Sequence, residues 1–274
     1  MKRNKKLCLL MSLVLSLTLF CGCNSSEGTT GSNDEENKQE EKKDRVVEEA
    51  VLLDNEAAKI TLKSIEKGVL STSDIKVEIE NKFDKGITVQ VRQLSINGIM
   101  KDPLFSSDVA VGKKAMEDIS FMDVELDELV NIEGLFHVFT TEEWKDVGDY
   151  PFVALKDESI KPEAESKGEV LLDNEIAKVI YVGIDKDGLI GQGVELEIIN
   201  KTDKTILVQT EGVSVDGYMS EPILSSEITS GKRALSTMTF TSDDISELKN
   251  IEGKFVVIDY ENWDRLGEYD FTIK

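Results

Sequence analysis

Ile75-Lys76-Val77-Glu78-Ile79-Glu80, then Asn81-Lys82-Phe83-Asp84-Lys85-Gly86, then Ile87-Thr88-Val89-Gln90-Val91-Arg92 is the stretch that decides the fold. Apolar residues fall at every second position in the outer two runs. That is the period of a strand with one face inward and one in water. The polar middle segment, with its Asn, Asp and Gly, reads as a hairpin loop between them.

The same message returns further along the chain. Val51-Leu52-Leu53-Asp54-Asn55-Glu56 reappears as Val170-Leu171-Leu172-Asp173-Asn174-Glu175, a shift of 119 positions (170 − 51). The shift also superposes Asn131-Ile132-Glu133-Gly134 on Asn250-Ile251-Glu252-Gly253, Trp144 on Trp263 and Tyr150 on Tyr269. No gap is needed, and roughly 40% of paired positions are identical, which marks an internal duplication. The second copy repeats the alternation at Val194, Leu196 and Ile198, then at Ile206 and Val208. Asn97-Gly98 and Asp216-Gly217 suit a type I′ turn, where both central residues need φ > 0. Gly112 and Gly231 mark turns before strands ending at Phe121 and Phe240. Asp127-Glu128-Leu129 and Ser246-Glu247-Leu248 read as brief helical crossovers. Phe136 and Val138, matched by Phe255 and Val257, open a last hairpin that returns at Tyr150-Pro151-Phe152 and Tyr269-Asp270-Phe271.

Seven or eight short strands per unit, with turns about every 8–12 residues, predict an all-β chain of two tandem immunoglobulin-like β-sandwich domains. Their expected bounds are 46–155 and 170–274. Residues 156–169, with Pro162 and mixed charges, read as a linker that buries little apolar surface, so the units are expected to move independently. The cysteines, Cys8, Cys21 and Cys23, precede both repeats. A Cys–Trp–Cys framework is therefore excluded, and each domain must hold by core packing alone.

The N-terminus reads as an address. Met1 to Lys6 is basic, and Leu7 to Phe20 is apolar apart from Ser12, Ser16 and Thr18, as in a signal peptide over 1–22. Phe20-Cys21-Gly22-Cys23 resembles the lipobox of bacterial lipoproteins, with Phe20 where that family usually has Leu. The resemblance implies a diacylglycerol on Cys23 and a membrane partner through it. Residues 23–45 are polar and charged, with too little apolar content to fold, and are expected to be a flexible tether. The formal net charge is −22. Loss of Lys2, Arg3, Lys5 and Lys6 with the signal would take it to −26. That field repels phosphate backbones, so nucleic acid is rejected as a partner.

Four further motifs recur in both repeats. Asn-Lys-x-Asp-Lys-x-Ile-x-Val-Gln runs over 81–90 and 200–209. Ser-[Ile/Val]-[Asn/Asp]-Gly-x-Met runs over 95–100 and 214–219, and Ser106-Ser107 and Gly112-Lys113-Lys114-Ala115 return as Ser225-Ser226 and Gly231-Lys232-Arg233-Ala234. Together they resemble the immunoglobulin-like repeats of exported lipoproteins. The resemblance implies the module and its export; it implies no activity, because that family has no settled function.

Candidate sites follow from side-chain chemistry. Trp144 and Trp263 lie in the last hairpin, where an indole either folds back to close the core, the favoured reading, or serves as a sugar platform or interface anchor. Ile99 with Met100, and Tyr218 with Met219, follow the Asn-Gly and Asp-Gly turns and could form a contact patch at a loop tip. His137 is the single histidine and faces Val256 in the other copy, so a strand residue is expected rather than a general base. The acids Asp123, Glu125, Asp127 and Glu128, and Asp243, Asp244 and Glu247, lack the spacing of a calcium loop. Asp185-Lys186-Asp187-Gly188 places its Gly too early for one and reads as turn chemistry. No metal and no cofactor is expected. The reading that follows is a non-catalytic, lipid-anchored module at the cell exterior that binds an extracellular or envelope protein or glycan. The alternatives are a carboxylate-based hydrolase and a structural accessory subunit of an envelope complex.

Overall fold

The alternating runs do form strands, but they pair in an unexpected way. A computed structural model describes residues 48–68, 73–122, 124, 126–157, 164–241 and 247–274. The expected signal peptide over 1–22, Cys21, Cys23 and the expected tether over 23–45 lie outside them. The first repeat has β1 (Ala50–Asp54), β2 (Ala58–Lys67), β3 (Ser73–Asn81), β4 (Ile87–Ile96), β5 (Ile99–Lys101), β6 (Ser106–Val109), β7 (Lys114–Phe121), β8 (Asn131–Thr140) and β9 (Asp146–Lys156). The second has β10 (Glu169–Asp173), β11 (Ala177–Asp185), β12 (Gln192–Asn200), β13 (Ile206–Val215), β14 (Tyr218–Met219), β15 (Ser225–Ile228), β16 (Arg233–Phe240), β17 (Ile251–Asp259) and β18 (Arg265–Ile273). Among the described residues, nine strands per repeat replace the seven or eight expected, because short β5, β6, β14 and β15 carry too few residues to show a period. The chain is all-β, built as β-sandwiches of the immunoglobulin-like kind.

In the first repeat β1-β2-β3-β7 form one sheet, and β4 pairs with β5, β6 and β8, with β9 outside β8, in the other. The second repeat has the same order in β10-β11-β12-β16 and in β13 with β14, β15, β17 and β18. Ile75, Val77 and Ile79 of β3 and Ile87, Val89 and Val91 of β4 are all buried. They face one another across the sandwich, and each repeat closes its own apolar core. Asn81-Gly86 is therefore not a hairpin loop. It is an arch that carries the chain from one sheet to the other.

Asn81 explains the arch. Its side chain is 2% exposed and donates to the Lys85 and Val109 carbonyls, both at 2.8 Å, while accepting from the Phe83 N–H at 2.8 Å. Lys85 lies in the crossing from β3 to β4 and Val109 ends β6, just before the crossing to β7, so one amide holds both crossings. Asn200 does the same with Lys204, Ile228 and Thr202. Alternation reports which face of a strand is buried, but it is silent on which sheet receives the next strand.

Other features match the sequence. Asn97 and Gly98 have φ of 55° and 83°, and Asp216 and Gly217 have 49° and 81°, as a type I′ turn requires. A 3-10 turn spans Leu126–Glu128. Its counterpart does not appear at Glu247 and Leu248, and Ser246 lies outside the described residues. Gly134 and Gly253 stand beside the rings of Phe152 and Phe271, where an added Cβ would sit 3.0 Å and 3.1 Å from ring carbons. The Asn-Ile-Glu-Gly motif is thus kept for close packing against an aromatic ring.

The two repeats are in contact. The Arg233 N–H donates to the Gly98 carbonyl at 3.1 Å, in a parallel bridge between Ile99 of β5 and Arg233 of β16. Gln93 sits in a bulge of β4 with φ of 52°, and its amide reaches Glu227 at 2.7 Å. Lys232 pairs with Glu133, and the Thr229 hydroxyl donates to the Met100 sulfur at 3.4 Å. The expectation of units free to move rested on the linker's composition. The structure places the tie elsewhere, in the β5 tip of the first repeat.

Candidate functional site

Neither indole belongs to a core. Trp144 is 75% exposed and Trp263 66%. The reason is local backbone. In the β8–β9 turn the Thr140 N–H donates to the Lys145 carbonyl and the Trp144 N–H to the Thr140 carbonyl, both at 2.9 Å. This closes a tight loop whose last residue, Trp144, has φ of 55°. Trp263 has φ of 60° in the equivalent turn, closed through Asp259. Bulky residues avoid this left-handed region, and its side chain projects away from the sheet. Trp144 lies on Phe139 with ring centroids 5.4 Å apart and planes at 18°; Trp263 leans on Tyr260 at 6.3 Å and 32°.

Trp144→Gly tests this placement. The stack on Phe139 contributes about 0.5–1.5 kcal/mol. Relief of the left-handed backbone returns about 1–2 kcal/mol. The two offset, so urea unfolding of Trp144→Gly should match the parent within about 1 kcal/mol. A core indole would cost about 3–5 kcal/mol, and a loss that large would put Trp144 back inside.

The turns are braced differently. The Thr140 hydroxyl accepts from the Lys145 N–H at 3.1 Å. In the second repeat that position is Asp259, 2% exposed. Its carboxylate accepts from the Lys204 ammonium at 2.6 Å and from the Glu261 and Asn262 N–H groups at 3.0 Å and 3.3 Å. The Lys204 hydrogen bond, ahead of the turn N–H groups, lowers the Asp259 carboxyl to about 2. A depressed carboxyl stabilises the fold above its unfolded value near 4, and that contribution fades as pH falls towards about 2. Emission of Trp263, read in a Trp144→Phe chain, should therefore change between pH 4 and 2. Trp144, read in a Trp263→Phe chain, should respond less, because the lowered carboxylate of its own turn, Glu143, meets Lys85 in solvent rather than at a buried site. Asp259→Asn should abolish the difference, and identical acid profiles in all three would refute the assignment.

The loop tips differ in the two copies. Ile99 is 9% exposed and Met100 packs against the core of the second repeat. Their equivalents Tyr218 and Met219 are 80% and 75% exposed. Met100 and Asp102 also wall a cavity of about 400 Å³ whose other sides include Gln209, Leu235, Tyr260 and Trp263. Burial, followed by the Glu227 carboxylate, pushes the Tyr260 phenol up. Of the four sequence candidates, Trp144, Trp263 and Tyr218 are outward-facing, and Ile99 is a junction residue.

His137 is 8% exposed on β8, with Nδ1 2.6 Å from Asp149, and is a strand residue as expected. Asp185 accepts from the Asp187 N–H at 3.0 Å, the turn chemistry read from the sequence. Asp123, Glu125, Asp243 and Asp244 lie outside the described residues. Among the described residues no three of His, Cys, Asp and Glu gather closely enough to hold a metal ion.

Sequence reasoning missed Gln93, Glu133, Glu227, Lys232 and Tyr260, which build the junction. The signal that could have found Gln93 is its partner in the alignment, Gly212, which shares a positive φ. No protein-family model matches the chain, and no curated protein does. Among solved structures, the crystal structure of the YadV chaperone aligns with 73% of this chain and 92% of its own, at 11% identity and a TM-score of 0.28. A likeness at that level carries no argument about function.

Proposed function

We propose that this chain is a non-catalytic interaction module, held at the cell exterior by a lipid on Cys23, that engages a protein or glycan partner through outward-facing aromatic tips. One observation carries the reading. Both copies hold a tryptophan in water, at the same hairpin apex, on backbone that bulky residues avoid. Such a side chain contributes little to folding and much to a contact, since aromatic anchors dominate interface energetics. The address rests on the sequence motif around Cys23, and a tether of about 22 residues would span about 25–30 Å between lipid and first repeat.

The full chain carrying Trp144→Ala and Trp263→Ala provides the test. A screen over envelope glycans and proteins should give binding to the parent that this variant loses while keeping its β-sheet circular dichroism. An empty screen, with turnover in a hydrolase panel, overturns the reading. Cys23→Ser should abolish incorporation of a labelled fatty acid, and label that persists removes the anchor.

A further inference from the structure

We propose that the Tyr218–Met219 tip of one chain docks on the β7 edge of a second copy at Lys114, repeating between chains the junction that joins the two repeats within one. This goes beyond the display reading and needs no external partner.

The internal junction is the template. A tip (Gly98, Ile99, Met100) meets the edge of β16 at Arg233, and Glu133 beside the tip pairs with Lys232 beside the edge. Shifting every position by 119 gives the parts for a second junction, the tip on the second repeat and the edge on the first. The tip becomes Gly217, Tyr218 and Met219, with Glu252 beside it. The edge becomes Lys114, with Lys113 beside it. Tyr218, Met219, Glu252, Lys113 and Lys114 are all exposed. Ile99, which does the same work inside the chain, is buried.

The chemistry carries over in part. The Gly217 carbonyl can accept from the Lys114 N–H as Gly98 does from Arg233, because only backbone is involved. Glu252 and Lys113 keep the signs of Glu133 and Lys232. Met219 keeps the thioether, which packs readily into an irregular wall. In the second repeat that wall contains Leu235 and Trp263, whose equivalents on the edge side of the first are Met116 and Trp144, both exposed. Two polar contacts do not transfer. Gln93 becomes Gly212, and Thr229 becomes Ala110. The contact between chains is therefore weaker than the one within a chain, where the linker supplies a high effective concentration. Because tip and edge are different surfaces, the contact is heterologous and yields a ring or an open file rather than a symmetric pair.

Cysteine pairing in the full chain in its native membrane tests this. Met219→Cys with Ala110→Cys reproduces, between chains, the positions of Met100 and Thr229, which touch. On mild oxidation it should give a ladder, or a single closed oligomer, above the background set by the unsubstituted chain with its own cysteines. Two co-expressed chains, one carrying Met219→Cys and the other Ala110→Cys, should give a dimer and nothing larger. Adding Lys113→Glu should remove these species, and further adding Glu252→Lys should bring them back. Met100→Cys with Thr229→Cys should close within a chain and shows that the chemistry works at this geometry. If that internal pair closes while Met219→Cys with Ala110→Cys stays monomeric, the proposal falls. It falls equally if Leu189→Cys with Ala110→Cys gives the same ladder, which would mean random collision, or if the ladder ignores the charge reversals.

Discussion

Arg233→Ala is expected to destabilise the second repeat by about 3–5 kcal/mol, the cost of leaving a buried charge without its partner. Glu197 on β12 has a fully buried side chain, and the Arg233 guanidinium, 12% exposed, meets it at 2.6 Å. The same carboxylate accepts from the Ser166 N–H, and the guanidinium also donates to the Ala164 carbonyl at 2.9 Å. The pair therefore holds the end of the linker against the sheet. Removing the guanidinium strands the carboxylate in a region water does not reach. The first repeat provides the control. There the equivalent pair is Lys114 with Glu78, at 52% and 31% side-chain exposure. Solvent screens such a pair, so Lys114→Ala should cost no more than about 1 kcal/mol. Denaturant unfolding of the two variants makes the comparison, and Glu197→Gln added to Arg233→Ala should recover much of the loss. Equal losses from Arg233→Ala and Lys114→Ala would show that burial is not the cause.

That contrast also shows how far the sequence could be read. A shift of 119 places Lys114 on Arg233 and Glu78 on Glu197, and nothing in the letters says that one pair is in water and the other is not. The difference comes from the linker, whose residues 164–166 cover the second pair. Local signals were legible wherever one residue type answers one local demand. Alternating Ile and Val gave the buried faces of β3 and β4, and Asn97-Gly98 gave the turn with two positive φ values. Signals that depend on the third dimension were not. Asn81 looks like an ordinary loop residue, yet it decides that β3 and β4 lie in opposite sheets, because its amide reaches Val109, 28 positions away. The candidate site divides in the same way. Trp144 and Trp263 were identifiable as paired aromatics, but their exposure follows from a turn geometry that places a bulky residue in the left-handed region. Ile99 and Tyr218 occupy equivalent places. Ile99 is buried where the first repeat meets Arg233 of the second, whereas Tyr218 is exposed.

Phe136→Ala should remove about 3–5 kcal/mol from the first repeat alone. The Phe136 ring is fully buried and stacks on Phe152 with centroids 4.1 Å apart; Phe255 stacks on Phe271 at 4.3 Å in the second core. The two cores are separate, and the apolar tie between them is the β5 tip, chiefly Ile99 and Met100. Burying one such side chain contributes about 1.5–3 kcal/mol, which is small beside the roughly 5–15 kcal/mol that holds a domain of this size. Damage to one core should therefore cross the junction only weakly. For a unit of about 100 residues, each kcal/mol shifts the melting temperature by about 4–8 °C, so Phe136→Ala should lower its own transition by more than about 10 °C. Calorimetry should then show two peaks, with the upper one near its parent position and with Trp263 emission following it. Phe255→Ala should reverse the pattern, moving the transition that Trp263 reports and sparing the other. A single peak that moves as one in both variants would mean that the Gly98–Arg233 bridge and the Lys232–Glu133 pair couple the repeats into one cooperative unit. In that case a second chain docked at the Tyr218 tip would also raise the melting temperature of the chain it joins.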